Sequence, residues 1–461
     1  MQKTLLSLFA ILLFSSTGIK AQYVTISDTA FVTYLHTIVS AAMNGNQLDT
    51  TNILVTTTTH SINVNHKNIT DMNGIQYFHS LTYLNCDSNL LTNTLPALPT
   101  TLTYLSCSHN NLINLPSLPN SILYLDCSSE CNNMGISSLD SLPTLPNSLV
   151  YLNCRLNHLI TLPTLPLTLK YLICGANFLT SFSNLPQSLT HLECGVMNLA
   201  NLPVLPDSLS YLDCDNNYLT SLPTLPNSLD TLLCDYNYIS SLPVLPNSLK
   251  FLYCHVNSLT SLPSLPTSLI YLNCANNILH TLPVLPNSLK YLICLDDSLM
   301  TIPNFPDSLV LLDCQWNNIY CFPVFPNSLL PASAGYFNIS NNPFNCLPNY
   351  ISAMGTYTVT YPICSSGNNI YGCAVANINQ ITDINYQVTI YPNPTNGNFI
   401  IETNTTEKQT IEIVDVTGKM VLSQDIKGKT NIDASNLDNG IYFLQVKTSQ
   451  NISAQKIIIQ R

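Results

Sequence analysis

A cysteine returns every twenty residues along most of this chain. Cys154, Cys174, Cys194, Cys214, Cys234, Cys254, Cys274, Cys294 and Cys314 keep the interval unbroken, and Cys86, Cys107 and Cys127 precede them at nearly the same spacing. The surroundings repeat as well, in the frame L-x-x-L-x-C-x-x-N-x-L-x-x-L-P-x-L-P, filled for example by Leu149, Leu152, Cys154, Asn157, Leu159, Leu162, Pro163, Leu165 and Pro166. A unit this short cannot bury an apolar face alone. It must stack on copies of itself, which makes the chain a repeat solenoid. A composition that is 46% hydrophobic and only 8% charged over 461 residues suits many short buried elements better than one ordinary soluble domain.

In L-x-x-L-x-C the side chains alternate, so Leu152 and Cys154 face inward while Tyr151 and Asn153 face outward. Each unit is therefore predicted to give one short strand to a parallel sheet. Asn157 and its counterparts Asn89, Asn110, Asn177, Asn217, Asn237, Asn257, Asn277 and Asn317 fall where the chain leaves that strand. A buried amide there can bond the backbone of adjoining coils and form a ladder. Glu130, Met197 and Asp297 take the place in three units, whose coils should be looser. The L-P-x-L-P segment lacks two backbone donors and has its φ fixed by proline, so the return path is extended and not helical.

The frame resembles the leucine-rich repeat, and its L-P-x-L-P half looks like the short bacterial class of secreted effectors. The resemblance implies a curved solenoid with a parallel β-sheet on the concave face, an extended polyproline-like convex side, and a function in binding other macromolecules.

The rest of the chain divides around these repeats. In residues 1–21, Lys3 precedes an apolar run from Leu5 to Phe14 and Ala21 stands before Gln22, the pattern of a cleaved secretory signal peptide. That run is too short to cross a bilayer and no other segment is long enough, so no transmembrane segment is expected in the mature chain. Residues 22–59 read as an N-terminal cap, with Asp28 suited to a helix N-cap and Phe31, Leu35, Ile38, Val39 and Met43 on helical spacing. Residues 60–348 are the repeats, beginning with a degenerate turn at Ile62, Val64, Ile69 and Met72. An insertion holding Glu130, Cys131 and Gly135 interrupts them between Cys127 and Cys154. Residues 349–373 read as a C-terminal cap and residues 374–386 as a linker low in charge.

Residues 387–461 change to seven alternating strands punctuated by Asn396-Gly397, Thr417-Gly418 and Asn439-Gly440, which predicts a small all-β sandwich. Three motifs follow in order: Tyr391-Pro392-Asn393-Pro394 with Gly397 and Phe399; Ile413 to Gly418 and Lys419; then Leu437, Gly440, Tyr442 and the final run from Lys456 to Ile459. Together they resemble a type A sorting domain of type IX secretion. The resemblance implies that the type IX secretion machinery is a partner and that the sorting domain is removed by a protease of that pathway. The mature protein would then be secreted or attached to the outer cell surface of a Gram-negative bacterium.

Charge narrows the partners further. Of the net -11, residues 80–331 hold nearly all, with Arg155, Lys170, Lys250 and Lys290 against fourteen acidic residues. An acidic spine repels phosphate backbones and argues against nucleic acid. The twelve regular cysteines occupy an inward position and read as small buried hydrophobes. Cys321, Cys346, Cys364 and Cys373 break the period around the C-terminal cap and are the candidates for disulfides, with Cys364 or Cys373 preferred as the partner of Cys346. Twenty-residue spacing offers no close ligand pair, so no metal and no cofactor is expected. No H-E-x-x-H, G-x-S-x-G or phosphate-cradling loop occurs, and no catalytic residue is assigned.

The outward strand positions carry the most specific signal. The first residue of each strand is Tyr83, Tyr104, Tyr124, Tyr151, Tyr171, His191, Tyr211, Thr231, Phe251, Tyr271, Tyr291 or Leu311. Parallel pairing places these one above another, as an aromatic ribbon. Tyrosines favour strands and stack on each other; rigid amphipathic rings are also enriched at interfaces. Asp87, Asp126, Glu193, Asp213, Asp215, Asp235, Asp296 and Asp313 lie beside the ribbon, with Tyr236 and Trp316 nearby, while His191 and His255 read as solvated. The candidate ligand-binding residues on the concave face are thus Tyr151, Tyr171, Tyr211, Asp213, Asp215, Asp235, Tyr236, Phe251, Tyr271 and Tyr291. The expected function is recognition of an extracellular protein or glycan. A structural spacer without a ligand site is the alternative, and an enzyme with an unrecognised site the weakest reading.

Overall fold

The computed structural model describes residues 21–129, 139–331, 334–365, 367–373, 388–403, 408–415, 419–447 and 452–461. The expected signal peptide, the insertion with Glu130 and Cys131, the linker and the motif residue Gly418 lie outside the described residues. The chain divides into two compact units between Val375 and Ala376.

The first unit is built on one parallel sheet of fourteen strands in sequence order. Each regular repeat gives three residues, Tyr151–Asn153 for one coil and Tyr171–Ile173 for the next, paired so that Tyr151 meets Tyr171 and Leu152 meets Leu172. Ser61–Asn63 opens the sheet and Phe337–Asn338 closes it. Between strands the L-P-x-L-P segments carry no helix, which lets each coil close in twenty residues. The inward leucines and all twelve cysteines form one continuous buried core. Those cysteines are free thiols, and burial pushes their ionisation up, to about 12 for Cys154. They pack as apolar groups, with the Cys214 Sγ pointing at the Leu233 carbonyl of the next coil at 3.4 Å.

Two columns of hydrogen bonds tie coil to coil. The Asn217 amide donates to the carbonyls of Cys194 (2.9 Å), Cys214 (3.2 Å) and Asp215 (3.0 Å), and its oxygen accepts from the Leu199 N–H at 3.0 Å. The same pattern recurs at each predicted asparagine, and Asn342 extends it into the last turn. Met197 offers no acceptor, and there the backbone bond from Asn198 to Leu179 stretches to 3.4 Å against 2.9 Å for Tyr218 to Leu199. Asp297 differs from the expectation of a looser coil: its Oδ1 still accepts from Asn277 and Leu279, and the backbone bond from Ser298 to Leu279 stays at 3.0 Å. On the other side of the coil Ser208, Ser228 and Ser248 donate to the carbonyls of Leu189, Leu209 and Leu229 at 2.7, 2.6 and 2.5 Å.

The ends of the solenoid are closed by different means. Asp28 caps the helix Thr29–Ile38 by accepting from the Phe31 N–H at 2.8 Å, and its other oxygen accepts from the Thr70 N–H and hydroxyl, each at 2.7 Å. Phe31 and Leu35 are buried, while Met43 lies beyond the helix in the strand Met43–Asn44. At the far end Cys346 is joined to Cys364 and Cys321 to Cys373.

The second unit packs a three-stranded sheet against a four-stranded one, both antiparallel. Phe399, Ile401 and Ile432 from the first meet Ile411, Ile413, Leu444, Ile457 and Ile459 from the second in a single core. Asn393 donates to the Lys456 carbonyl at 2.7 Å and accepts from the Ile458 N–H at 2.9 Å, which ties the first motif of this unit to its last strand. Gly397 has φ +112° and no room for a Cβ, which would come within 3.0 Å of the Ser435 Cα. Gly440 opens the strand Gly440–Lys447, and Tyr442 is buried with its hydroxyl donating to Asp438 at 3.0 Å. Lys419 closes a turn by donating its N–H to Asp415, Pro392 and Pro394 follow the strand Val388–Tyr391, and Lys456 pairs with Phe443 inside the strand Ile452–Ile459.

Candidate functional site: the outer face of the parallel sheet

The in-register pairing sets the outward side chains in columns. In the first column Tyr83, Tyr104, Tyr124 and Tyr151 stack face to face, with centroids 4.4, 4.3 and 4.3 Å apart. Tyr171 is tilted by 39° on Tyr151, and His191 stacks on Tyr211 at 4.2 Å. The run ends at Thr231. Beyond it Tyr271 stacks on Tyr253 of the neighbouring column at 4.5 Å and tilts against Tyr291, while Phe251 stands beside Thr231 and Tyr271 in register. His191 is thus a member of the stack and not a freely solvated ring. Its Nε2 lies 2.9 Å from Glu193, and that hydrogen bond lowers the Glu193 carboxyl below its usual range.

Because the rings lie on one another, most of their faces are occupied by neighbouring rings. The hydroxyls of Tyr104, Tyr124 and Tyr151 interact along the column, and burial raises the phenols of Tyr211 and Tyr271 to about 12.

The carboxylates do not form one patch. Asp87 is saturated by the Ser106 hydroxyl and the Ser108 N–H, and Asp126 by Ser128 and Asn153. Asp213, Asp215 and Asp235 come together in the middle of the sheet. Asp213 accepts from the Asp215 N–H at 3.1 Å, and Asp235, only 7% exposed, lies 3.7 Å from the His255 Nε2. Burial, then the neighbouring carboxylate of Asp215, raises the Asp213 carboxyl, and burial raises that of Asp235. The chain makes room for this group with two glycines: a Cβ at Gly195 would collide with the Asp215 carboxylate, and one at Gly175 would lie 2.7 Å from the Gly195 carbonyl. No basic side chain forms an ion pair with Asp213 or Asp215 among the described residues, whereas Glu193 has Arg155 at 3.7 Å.

The structure therefore gathers Tyr211, Asp213, Asp215, Asp235 and Tyr271 in the central coils, and leaves Tyr151 and Tyr171 in the stacked N-terminal half. Tyr236 stands beside the strand face, at the turn two residues past Cys234, with its ring edge-on to His255 at 5.2 Å. That turn is a feature sequence reasoning missed. In every regular coil with a described turn from Leu156 to Trp316 the residue two past the cysteine is left-handed, with φ between 48° and 60°. No glycine marks it. Among the described residues, one group suited by residue type and spacing to hold a metal ion is found, Cys346, Cys364 and Cys373, and all three are committed to disulfides.

A solenoid of parallel three-residue strands with an inward leucine and cysteine, a buried asparagine at each turn and an open sheet face defines a leucine-rich repeat protein, and the chain belongs to that family. The structure of the leucine-rich effector protein YopM from Yersinia pestis is 31% identical, with a TM-score of 0.55, over 64% of this chain and 86% of that one. YopM from Yersinia enterocolitica is 32% identical, with a TM-score of 0.54, over 63% of this chain and 66% of that one, just under two thirds of its length. The functional domain of InlJ from Listeria monocytogenes, itself described as including a cysteine ladder, aligns at 18% identity with a TM-score of 0.46, over 95% of this chain and 99% of that one. Residues 389–460 match the secretion system C-terminal sorting domain, which points to secretion or cell-surface attachment. No curated protein matches the chain. No helix among the described residues is long and apolar enough to cross a membrane.

Proposed function

We propose that this chain is a non-enzymatic binding protein, exported by type IX secretion to the surface of a Gram-negative cell or beyond it, whose sheet face grips a basic segment of a partner protein. The observation that carries the reading is the central group of Asp213, Asp215 and Asp235, half-buried to buried, with two carboxyls raised by burial and no lysine or arginine paired to Asp213 or Asp215. A lysine or arginine docked there supplies the missing countercharge, and the neighbouring edges of Tyr211, Phe251 and Tyr271 give it an aromatic surround. A protein suits the face better than a glycan, since the stacked rings offer edges where a sugar needs ring faces. The face-to-face stack of Tyr83 to Tyr151 favours a second reading, a spacer in which the rings serve stability alone.

One experiment separates the two. The mature chain is immobilised and used to capture partners from cell-surface extracts, in parallel with the Tyr211→Ala/Phe251→Ala/Tyr271→Ala variant and with Asp213→Asn/Asp215→Asn. A binder loses the captured protein in both variants and weakens as salt rises from 50 to 300 mM. Identical capture by wild type and variants removes the sheet face as the site and leaves the spacer reading.

A further inference from the structure

A second surface lies outside the sheet face, along the side of the solenoid where the strands turn toward the convex side. Four residues past each cysteine, one side chain per coil projects outward, and in successive coils these are His158, Phe178, Asn198, Tyr218 and Tyr238. The aromatic members form a comb. His158 and Phe178 have ring centroids 5.7 Å apart, Tyr218 and Tyr238 stand 6.1 Å apart and nearly parallel at 7°, and Phe178, Tyr218 and Tyr238 are 52%, 54% and 58% exposed. One tooth is missing. At Asn198 the short amide leaves a gap between Phe178 and Tyr218, which stand two coils apart, and a cleft of about 500 Å³ includes this gap and extends past Tyr218 to Tyr236, Tyr238 and Val256.

Four features define what the gap would hold. Two coil steps leave space for a single ring between Phe178 and Tyr218, at roughly the 4.5–7 Å centroid spacing of stacked rings on each side. The Asn198 side-chain amide has no partner within the described residues, although it can donate twice and accept, and the amide of Asn216, which gives one hydrogen to Asp215 at 2.8 Å and keeps a second donor and its oxygen, also lines the cleft. No lining residue is charged, so the ligand is neutral. Met197, at the ladder position just beneath, is buried and interrupts the amide ladder with an apolar side chain, so the gap has an apolar base.

We infer that this cleft binds a pyranose unit of a neutral glycan, its C–H faces against Phe178 and Tyr218 and its hydroxyls bonded to the amides of Asn198 and Asn216. An aromatic peptide side chain would fit between the same walls, but its entry would cover the Asn198 amide without satisfying it, a cost that a sugar hydroxyl removes. The cleft runs on beyond Tyr218 along Tyr236, Tyr238 and Val256, so the glycan chain continues on that side. The cleft adjoins the sheet face through Asn216, whose amide donates to Asp215 at 2.8 Å, and through Tyr236, but its walls Phe178 and Tyr218 lie apart from Tyr211 and Asp213.

The test is calorimetric titration of the full mature chain with neutral hexasaccharides of β-1,4-glucose, α-1,4-glucose and β-1,4-mannose, with a hexagalacturonate as the charged control and a Tyr-containing tetrapeptide as the competing class. At least one neutral hexamer is expected to bind, Tyr218→Ala to weaken it about tenfold, and Asn198→Tyr to abolish it by filling the gap. Asn198→Tyr restores the residue type found at Tyr218 and Tyr238 in the same register, so the fold tolerates it, and an unchanged far-UV spectrum checks that. Tyr211→Ala on the sheet face is expected to leave sugar binding unaltered. Failure of all three neutral hexamers to bind overturns the inference, as does binding that survives Asn198→Tyr, tighter binding of the galacturonate, or binding of the tetrapeptide in place of the sugars.

Discussion

Asp297 occupies the place of the ladder asparagine with half of the chemistry. Its Oδ1 accepts from Asn277 and Leu279 as an asparagine oxygen would, but its buried Oδ2 has no partner where Asn317, one coil on, presents an amide to the carbonyls of Cys294 and Cys314. Ionised, that oxygen meets carbonyl oxygens; protonated, it can donate to them. Burial accordingly pushes the carboxyl up to about 7. The folded state then holds a proton that the unfolded chain has released, so this group's contribution is fully present below about pH 4. It falls as pH rises toward 7, and is lost above it. Asp297→Asn supplies the donor at every pH. It is expected to stabilise the protein by about 1–2 kcal/mol at pH 8 and by much less at pH 4.5, read from urea unfolding at the two pH values. An equal effect at both would show that the carboxyl ionises freely in the fold.

The coil is the element through which such local effects are felt, because each coil touches only its neighbours. Asn237→Ala removes three donated bonds and one accepted bond, to Cys214, Cys234, Asp235 and Leu219, inside a buried site. The expected cost is about 2–4 kcal/mol, and hydrogen exchange should rise at Leu219, Cys234 and their neighbours while coils beyond Leu299 keep their protection. A uniform rise across the sheet would mean that the solenoid unfolds as one block.

Much of this element was legible beforehand: strand, inward Leu–Cys pair and amide ladder all follow from side-chain alternation and a fixed period. The serine column at Ser208, Ser228 and Ser248 was not, since a serine before a leucine reads as ordinary surface until the neighbouring coil's carbonyl is placed beside it. Nor was the left-handed turn, because Val196, Tyr236 and Trp316 are residues that disfavour it and the stacking of coils overrides that preference. At the candidate site the column of rings could be read from the sequence. Which faces remain free could not, because it depends on ring tilt, which differs between Tyr124–Tyr151 and Tyr151–Tyr171 despite identical residue types.

At the scale of the whole molecule, the two units carry different chemistry. The repeats hold nearly all of the net -11, are closed at their end by the Cys321–Cys373 and Cys346–Cys364 disulfides, and form an uninterrupted apolar core of their own. The last unit has a separate core, a net charge of only -1 and the match to a sorting domain. Arg461 is part of its fold: it donates to the carbonyls of Asn396, Ser435 and Leu437, joining the turn after the first motif to the turn before Gly440. On the proposed export route this unit acts as an address that the repeats do not contain. A chain ending at Val375 should therefore fold, form both disulfides and accumulate in the periplasm, while residues 376–461 fused to a periplasmic reporter should carry that reporter to the cell surface or the medium. Deleting Arg461 alone should weaken export of the fusion by loosening the two turns it bridges, and Arg461→Lys should rescue it only in part, since one ammonium cannot reproduce three directed guanidinium bonds. Fractionation with immunodetection reads all four chains, and finding the chain that ends at Val375 outside the cell at the normal level would remove the sorting role from the C-terminal unit.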